Sequence, residues 1–166
     1  MSVTAIYPGT FDPITLGHLD IIERSLGIFD ELVVSIADTR PGSLFSAEER
    51  AELVRESTKH LSRITVQTFR ELLVDHWKRL EKPTVIRGLR AVQDFEAEFA
   101  MALANRRLAD DFEILFLMPR NDFVFLSATT VREVARWGGD VSGMVTPVVA
   151  EALRRKFQNE IRNGRK

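Results

Sequence analysis

Short apolar runs rich in β-branched residues alternate along the chain with stretches whose apolar residues return every three or four positions. The runs are Val3 to Tyr7, Leu32 to Ala37, Ile64 to Phe69, Thr84 to Ile86 and Ile114 to Met118, and they predict five buried strands. Between them Leu19, Ile22, Leu26 and Phe29 keep helical spacing, as do Ala47, Ala51, Val54, Thr58 and Leu61. Ser46 with Glu49 three residues later forms a capping box that opens the second of these helices. A further helix ends near Leu80, and a longer one carries Phe95, Phe99, Ala102 and Arg106 on one line. Two more follow the last strand, around Thr130 to Arg136 and Pro147 to Phe157, the second with proline in its first turn. The alternation predicts an α/β fold, a doubly wound five-stranded parallel sheet with helices on both faces. In open sheets of this kind ligands bind beyond the carboxyl ends of the strands, where strand order reverses, so the residues that follow each strand carry the chemistry.

Length and composition narrow the picture. A chain of 166 residues fits one domain, 1–166, with a helical C-terminal part from about residue 130. Apolar residues at 45% and charged residues at 28% belong to a folded globular protein. Cysteine is absent, which excludes disulfides, thiolate metal sites and a cysteine nucleophile and fits a cytoplasmic location. His18, His60 and His76 form no ligand pair, so no protein-held metal is expected. The start of the chain lacks signal-peptide character and no apolar run is long enough to span a membrane. A net charge of −1 gives no global attraction to nucleic acid or anionic membranes. The basic end, with Arg154, Arg155, Lys156, Arg162, Arg165 and Lys166, is expected to complement a helix dipole and solvate the tail. Trp77 and Trp137 are both expected in the core.

The first strand runs into Tyr7-Pro8-Gly9-Thr10-Phe11-Asp12-Pro13-Ile14-Thr15-Leu16-Gly17-His18, after which a helix begins. Glycines and prolines bend the chain, and the helix start offers free N–H groups and a positive dipole end to an anion. The stretch has neither the GxGxxG of dinucleotide folds nor the GK[ST] of a Walker loop. His18 can donate a hydrogen bond to a phosphate oxygen, with positive charge if protonated, or cap the turn; Thr10 can bond a phosphate or stabilise the turn. Beyond the fourth strand, Arg87 and Arg90 flank Gly88 and Leu89 and suit separate phosphates. Hydroxyls at Ser127, Thr129 and Thr130 before a helix suit further phosphates, with Arg132 one turn inside. Asp94, Glu96 and Glu98 do not make one acidic cluster, because only Asp94 and Glu98 share a helix face.

The YPGTFDPITLGH stretch, with Thr15-Leu16-Gly17-His18 as its TxGH, resembles the signature of the bacterial phosphopantetheine adenylyltransferases within the nucleotidyltransferase superfamily. The likeness continues through Arg87-Gly88-Leu89-Arg90, Asp94-Phe95-Glu96, Asn105-Arg106, Phe116-Leu117-Met118-Pro119 and Ser127-Ala128-Thr129-Thr130-Val131-Arg132. It implies a Rossmann-like fold and transfer of the adenylyl group of ATP, with Mg²⁺, to 4'-phosphopantetheine, giving dephospho-CoA and pyrophosphate. It also implies a homohexamer. By this resemblance His18 stabilises the transition state with Thr10 and Arg90, and ATP meets Thr10, Phe11, His18, Gly88, Leu89, Arg90 and Glu98. ATP further meets the segment Phe123-Val124-Phe125-Leu126-Ser127-Ala128-Thr129, while Thr10, Arg40, Leu73 and Arg87 bind the acceptor.

Three positions depart from the family's pattern. Ala128 replaces a usual serine, and Ala97 stands where some members carry an aromatic. The loop Asp38-Thr39-Arg40-Pro41-Gly42-Ser43-Leu44 has no lysine where the family usually places one near the acceptor phosphate, so Arg40 is expected to substitute. Leu72 and Leu73 match the apolar wall for the pantetheine arm, or serve as plain core. The alternatives are a same-fold nucleotidyltransferase with another acceptor, such as nicotinamide mononucleotide, or a non-catalytic module that binds ATP or a coenzyme A species. A tRNA-synthetase reading lacks its tRNA-reading region and KMSKS-type loop.

Overall fold

The computed structural model describes residues 3–38, 41–90 and 92–163, the side chains of 92–94 and 159–163 excepted. Its strands are β1 (Thr4–Gly9), β2 (Glu31–Ala37), β3 (Ile64–Phe69), β4 (Thr84–Gly88) and β5 (Ile114–Leu117). Its helices are α1 (Leu16–Ser25), α2 (Ala47–Thr58), α3 (Leu73–Arg79), α4 (Val92–Leu108), α5 (Ala128–Arg136) and α6 (Pro147–Asn163). All strand pairs are parallel, in the order β3-β2-β1-β4-β5.

Side chains alternate between the two faces of the sheet, as the pleat requires. Ala5 and Tyr7 of β1, Leu32, Val34 and Ile36 of β2 and Ile86 of β4 join the larger cluster, under α1, α2, α5 and α6. Ile6 and Val85 point the other way, into a smaller cluster with Val74 and Trp77 of α3 and Phe112. Both faces are therefore covered, which explains why the strands read as continuous apolar runs.

β1 pairs with β2 along its whole length, Thr4↔Glu31 to Gly9↔Ile36. Its pairing with β4 is confined to Ala5↔Thr84 and Ile6↔Val85. Past Ile6 the two strands separate at the point where the sheet order reverses, and a cleft opens there.

Several boundaries differ from those the sequence predicts. The first helix stops at Ser25, and Phe29 reaches the core through a turn in which its N–H bonds the Ser25 carbonyl at 2.8 Å. Helix α5 begins at Ala128 because Ser127 caps it, its Oγ accepting the Thr130 N–H at 3.0 Å. On α4 the line Phe95, Phe99 and Arg106 faces outward rather than into the core, with Phe99 48% exposed, while Asn105 is buried. Trp77 is buried, but Trp137 is 81% exposed beyond the end of α5, contrary to the core position expected for both.

At the basic end Arg154 and Arg155 pair with Glu151, and Lys156 pairs with Glu49 and lies 5.2 Å from the Phe45 ring. Arg162 is among the residues whose side chains are excepted, and Arg165 and Lys166 lie outside the described residues. No described helix is long and apolar enough to cross a membrane.

Candidate active site

The cleft between the diverging ends of β1 and β4 holds about 310 Å³. Its base is the turn from β1 to α1. Phe11 adopts a left-handed φ of 48°, which costs a non-glycine residue on the order of 1–2 kcal/mol. Packing offsets that cost: the ring is buried, edge-on to Tyr7 at 5.2 Å and to His18 at 5.0 Å. Gly9 makes room for it, since a Cβ there would lie 2.8 Å from Phe11 Cε2.

Thr15 is the N-cap of α1 and His18 its third residue, and together they form a capping box. The Thr15 Oγ1 accepts the His18 N–H at 3.3 Å, and His18 Nδ1 accepts the Thr15 N–H at 3.0 Å. An imidazole thus plays the part that Glu or Gln usually takes. A backbone N–H can only donate, so Nδ1 must carry a lone pair and the ring proton sits on Nε2. The two roles open for His18, cap and phosphate donor, are therefore compatible: one ring nitrogen caps the helix and the other offers its N–H to a ligand.

Burial, and then the nearby guanidinium groups of Arg90 and Arg87, push the His18 imidazole down to about 3. The ring is neutral at physiological pH, so the charge that protonation would have supplied comes from the arginines instead. Tyr7, which lines the same cleft, is pushed up to about 12, chiefly by burial, and stays a neutral phenol.

Three arginines converge on the cleft. Arg87, from β4, forks onto Glu98 of α4, with Nε to Oε2 at 2.8 Å and Nη2 to Oε1, and also donates to the Pro8 carbonyl. Arg90 donates to the Leu126 carbonyl at 2.6 Å, tying the end of β4 to the segment before α5. Arg132 donates to the Asp12 carbonyl and reaches Thr129 Oγ1 at 3.3 Å. The N-terminus of α5 faces the cavity through Ser127, Ala128 and Thr129. Guanidinium groups, two helix N-termini and a neutral imidazole donor make a site for a polyanion.

Of the residues singled out from the sequence, Thr10, Phe11, His18, Gly88, Arg90 and Glu98 line this cleft, as do Arg87, Leu126 and Ser127 to Thr129. The other described ones are not among its lining residues. Leu89 is held by its N–H to the Leu117 carbonyl at 2.9 Å. Phe123 backs Gly17, where a Cβ would meet its own Cβ at 3.6 Å, and Val124 follows it in the same turn. Phe125 is 91% exposed, and Leu73 packs against the smaller cluster beside α3. Arg40 lies outside the described residues.

Two residues at the site were not anticipated in these roles. Asp12 is buried, and its carboxylate accepts the N–H groups of Leu44 and Phe45 at 2.8 and 3.0 Å. Arg50, also buried, donates to the carbonyls of Thr10 and Ala37 at 2.6 and 2.9 Å. Its place beside Ala47, Ala51 and Val54 on the inward face of α2 is the signal that could have found it.

Residues 6–134 match the cytidylyltransferase-like family. A phosphopantetheine adenylyltransferase of Thermodesulfovibrio yellowstonii is 48% identical over 160 residues, covering 95% of this chain and 99% of that protein. The chain belongs to the phosphopantetheine adenylyltransferase family. A second member, from Thermotoga neapolitana, is 50% identical over 157 residues, covering 94% and 98% of the two chains. The fold is also that of Plasmodium falciparum nicotinic acid mononucleotide adenylyltransferase complexed with NaAD, at TM-score 0.69 and 17% identity, covering 93% of this chain and 96% of that one. Family members are nucleotidyltransferases of this Rossmann-like fold, and this chain is an enzyme of that class.

Proposed function

We propose that the cleft aligns ATP and 4'-phosphopantetheine for direct adenylyl transfer, and that the neutral His18, with its proton fixed on Nε2, donates to the phosphoryl group in flight. The Thr15–His18 capping box carries this reading, because it determines which ring nitrogen bears the proton. An oxygen of the acceptor phosphate attacks the α-phosphorus of ATP; the bond from that phosphorus to the bridging oxygen breaks, and pyrophosphate leaves. The acceptor phosphate is largely ionised at pH 7, with a second pKa of about 6, so no protein base is needed. Catalysis then consists of alignment and charge stabilisation. Thr10 joins His18 at the transferred group, while Arg90 and the α5 N-terminus from Ser127 to Thr129 hold the leaving pyrophosphate. Arg87 holds the acceptor phosphate from its fork with Glu98, and Arg40 contributes to that side.

Mg²⁺ enters with ATP rather than in a protein cage. The carboxylates at the cleft are engaged, Asp12 with two N–H groups and Glu98 with Arg87. Bound with the triphosphate, the ion would neutralise phosphate charge.

We further propose that the whole chain, 1–166, is one nucleotidyltransferase domain that works in the cytoplasm as a homohexamer. The outward apolar line of α4, with Phe95, Phe99 and Leu103, and the exposed Leu115 of β5 support burial against other copies.

The test is pyrophosphate release from Mg–ATP with 4'-phosphopantetheine, beside nicotinamide mononucleotide and a no-acceptor control. Release that depends on phosphopantetheine is expected; release only with another acceptor overturns the acceptor, and no release with any overturns the reaction.

A further inference from the structure

Asp12 touches both walls of the cleft. On one side its Oδ2 and Oδ1 take the N–H groups of Leu44 and Phe45, at 2.8 and 3.0 Å, at the end of a loop whose Gly42 and Ser43 line the cavity. On the other, Arg132 Nη1 lies 3.7 Å from Asp12 Oδ2 and donates to the Asp12 carbonyl, while its Nη2 reaches Thr129 on the phosphate-side wall. Arg50 braces the same loop from beneath, with Nε 3.2 Å from the Phe45 carbonyl and Nη1 on the Thr10 carbonyl.

We propose that Asp12 is a positioning residue that couples the two substrate sites, so that a triphosphate on Arg132 and the α5 N-terminus tightens the loop that walls the acceptor side. The coupling rests on the substrate reading above and follows from competition for one cation. Arg132 shares its charge with Asp12, and phosphate oxygens are better partners for a guanidinium than a carboxylate 3.7 Å away. When a triphosphate takes that charge, the Asp12 carboxylate is less neutralised and becomes a stronger acceptor for Leu44 and Phe45. The loop then exchanges less with solvent and presents its cavity wall ready for the acceptor. By reciprocity, the acceptor tightens ATP by the same factor.

The experiment has an arm without any variant. Amide hydrogen exchange at Leu44 and Phe45 is followed in the wild-type protein with and without the magnesium complex of α,β-methylene ATP, which cannot transfer its adenylyl group. Exchange should slow about fivefold or more, the low end of measured couplings. Calorimetry with 4'-phosphopantetheine should show its affinity rising by a similar factor when the analogue is present. Asp12→Asn keeps the shape but removes the charge and turns one acceptor into a donor, and there both factors should fall to near one. Unchanged exchange at Leu44 and Phe45 in the wild type overturns the proposal, as does an Asp12→Asn protein that keeps the wild-type factors. Should that variant not fold, the exchange arm decides alone. Because that arm contains no acceptor, its result is separate from whether phosphopantetheine is the substrate.

Discussion

Two histidines in this molecule share an electrostatic condition and differ in everything that matters for chemistry. His18 and His76 are both held below the usual imidazole range, in each case first by burial and then by nearby arginine charge. His76 lies behind β2 with every polar atom engaged: Nε2 meets Ser35 Oγ at 2.9 Å, and Nδ1 receives Arg79 Nη2 at 2.9 Å. Its ring stacks on Phe69 at 4.3 Å and is fully buried. Among the described residues the His18 ring hydrogen-bonds through Nδ1 alone, and the residue lines the cleft. A perturbed imidazole marks a site only when one of its nitrogens remains available to a ligand.

Removing each ring should separate the two roles. His18→Ala should cut kcat by on the order of 10² to 10³, the usual cost of losing one preorganised donor, while the fold survives with a stability loss of about 1 kcal/mol, that of a lost helix cap. Steady-state rates beside a thermal melt check this, and near-normal kcat would remove His18 from the mechanism. His76→Ala should do the reverse, costing about 2–4 kcal/mol through a cavity and an orphaned Ser35 hydroxyl. A lower denaturant midpoint with near-normal kcat is the expected pattern, and a fall in kcat at full stability would erase the contrast.

The periodic signals were the legible part of this chain. The alternation of strands and helices, the capping box at Ser46 and the place of His18 follow from local spacing, because local hydrogen bonds and burial set them. The outward face of α4 was not legible, since an apolar line looks the same whether its own core or another surface covers it. Asp12 was missed because its partners are backbone groups 32 and 33 residues away, at Leu44 and Phe45, which no local pattern reports, whereas helical spacing marks Arg50 as inward-facing but not its carbonyl partner at Thr10, 40 residues away. Leu73, Leu89 and Phe125 came from family likeness alone, and none of them is among the residues that line the cleft.

Acid separates a neutral donor from a charged one. With a folded-state pKa of about 3 against 6.5 for the free side chain, His18 takes up its proton far later in the native protein than in the unfolded chain. Its contribution to stability is complete above about pH 6.5 and is lost as pH falls toward 3. The direct measurement is ¹⁵N NMR of histidine-labelled protein across this range, which reads the protonation of each ring nitrogen. The account predicts that at pH 7 His18 shows a protonated Nε2 and a bare Nδ1, and that this pattern persists to about pH 4. An imidazolium, or a proton on Nδ1, at pH 7 would contradict it.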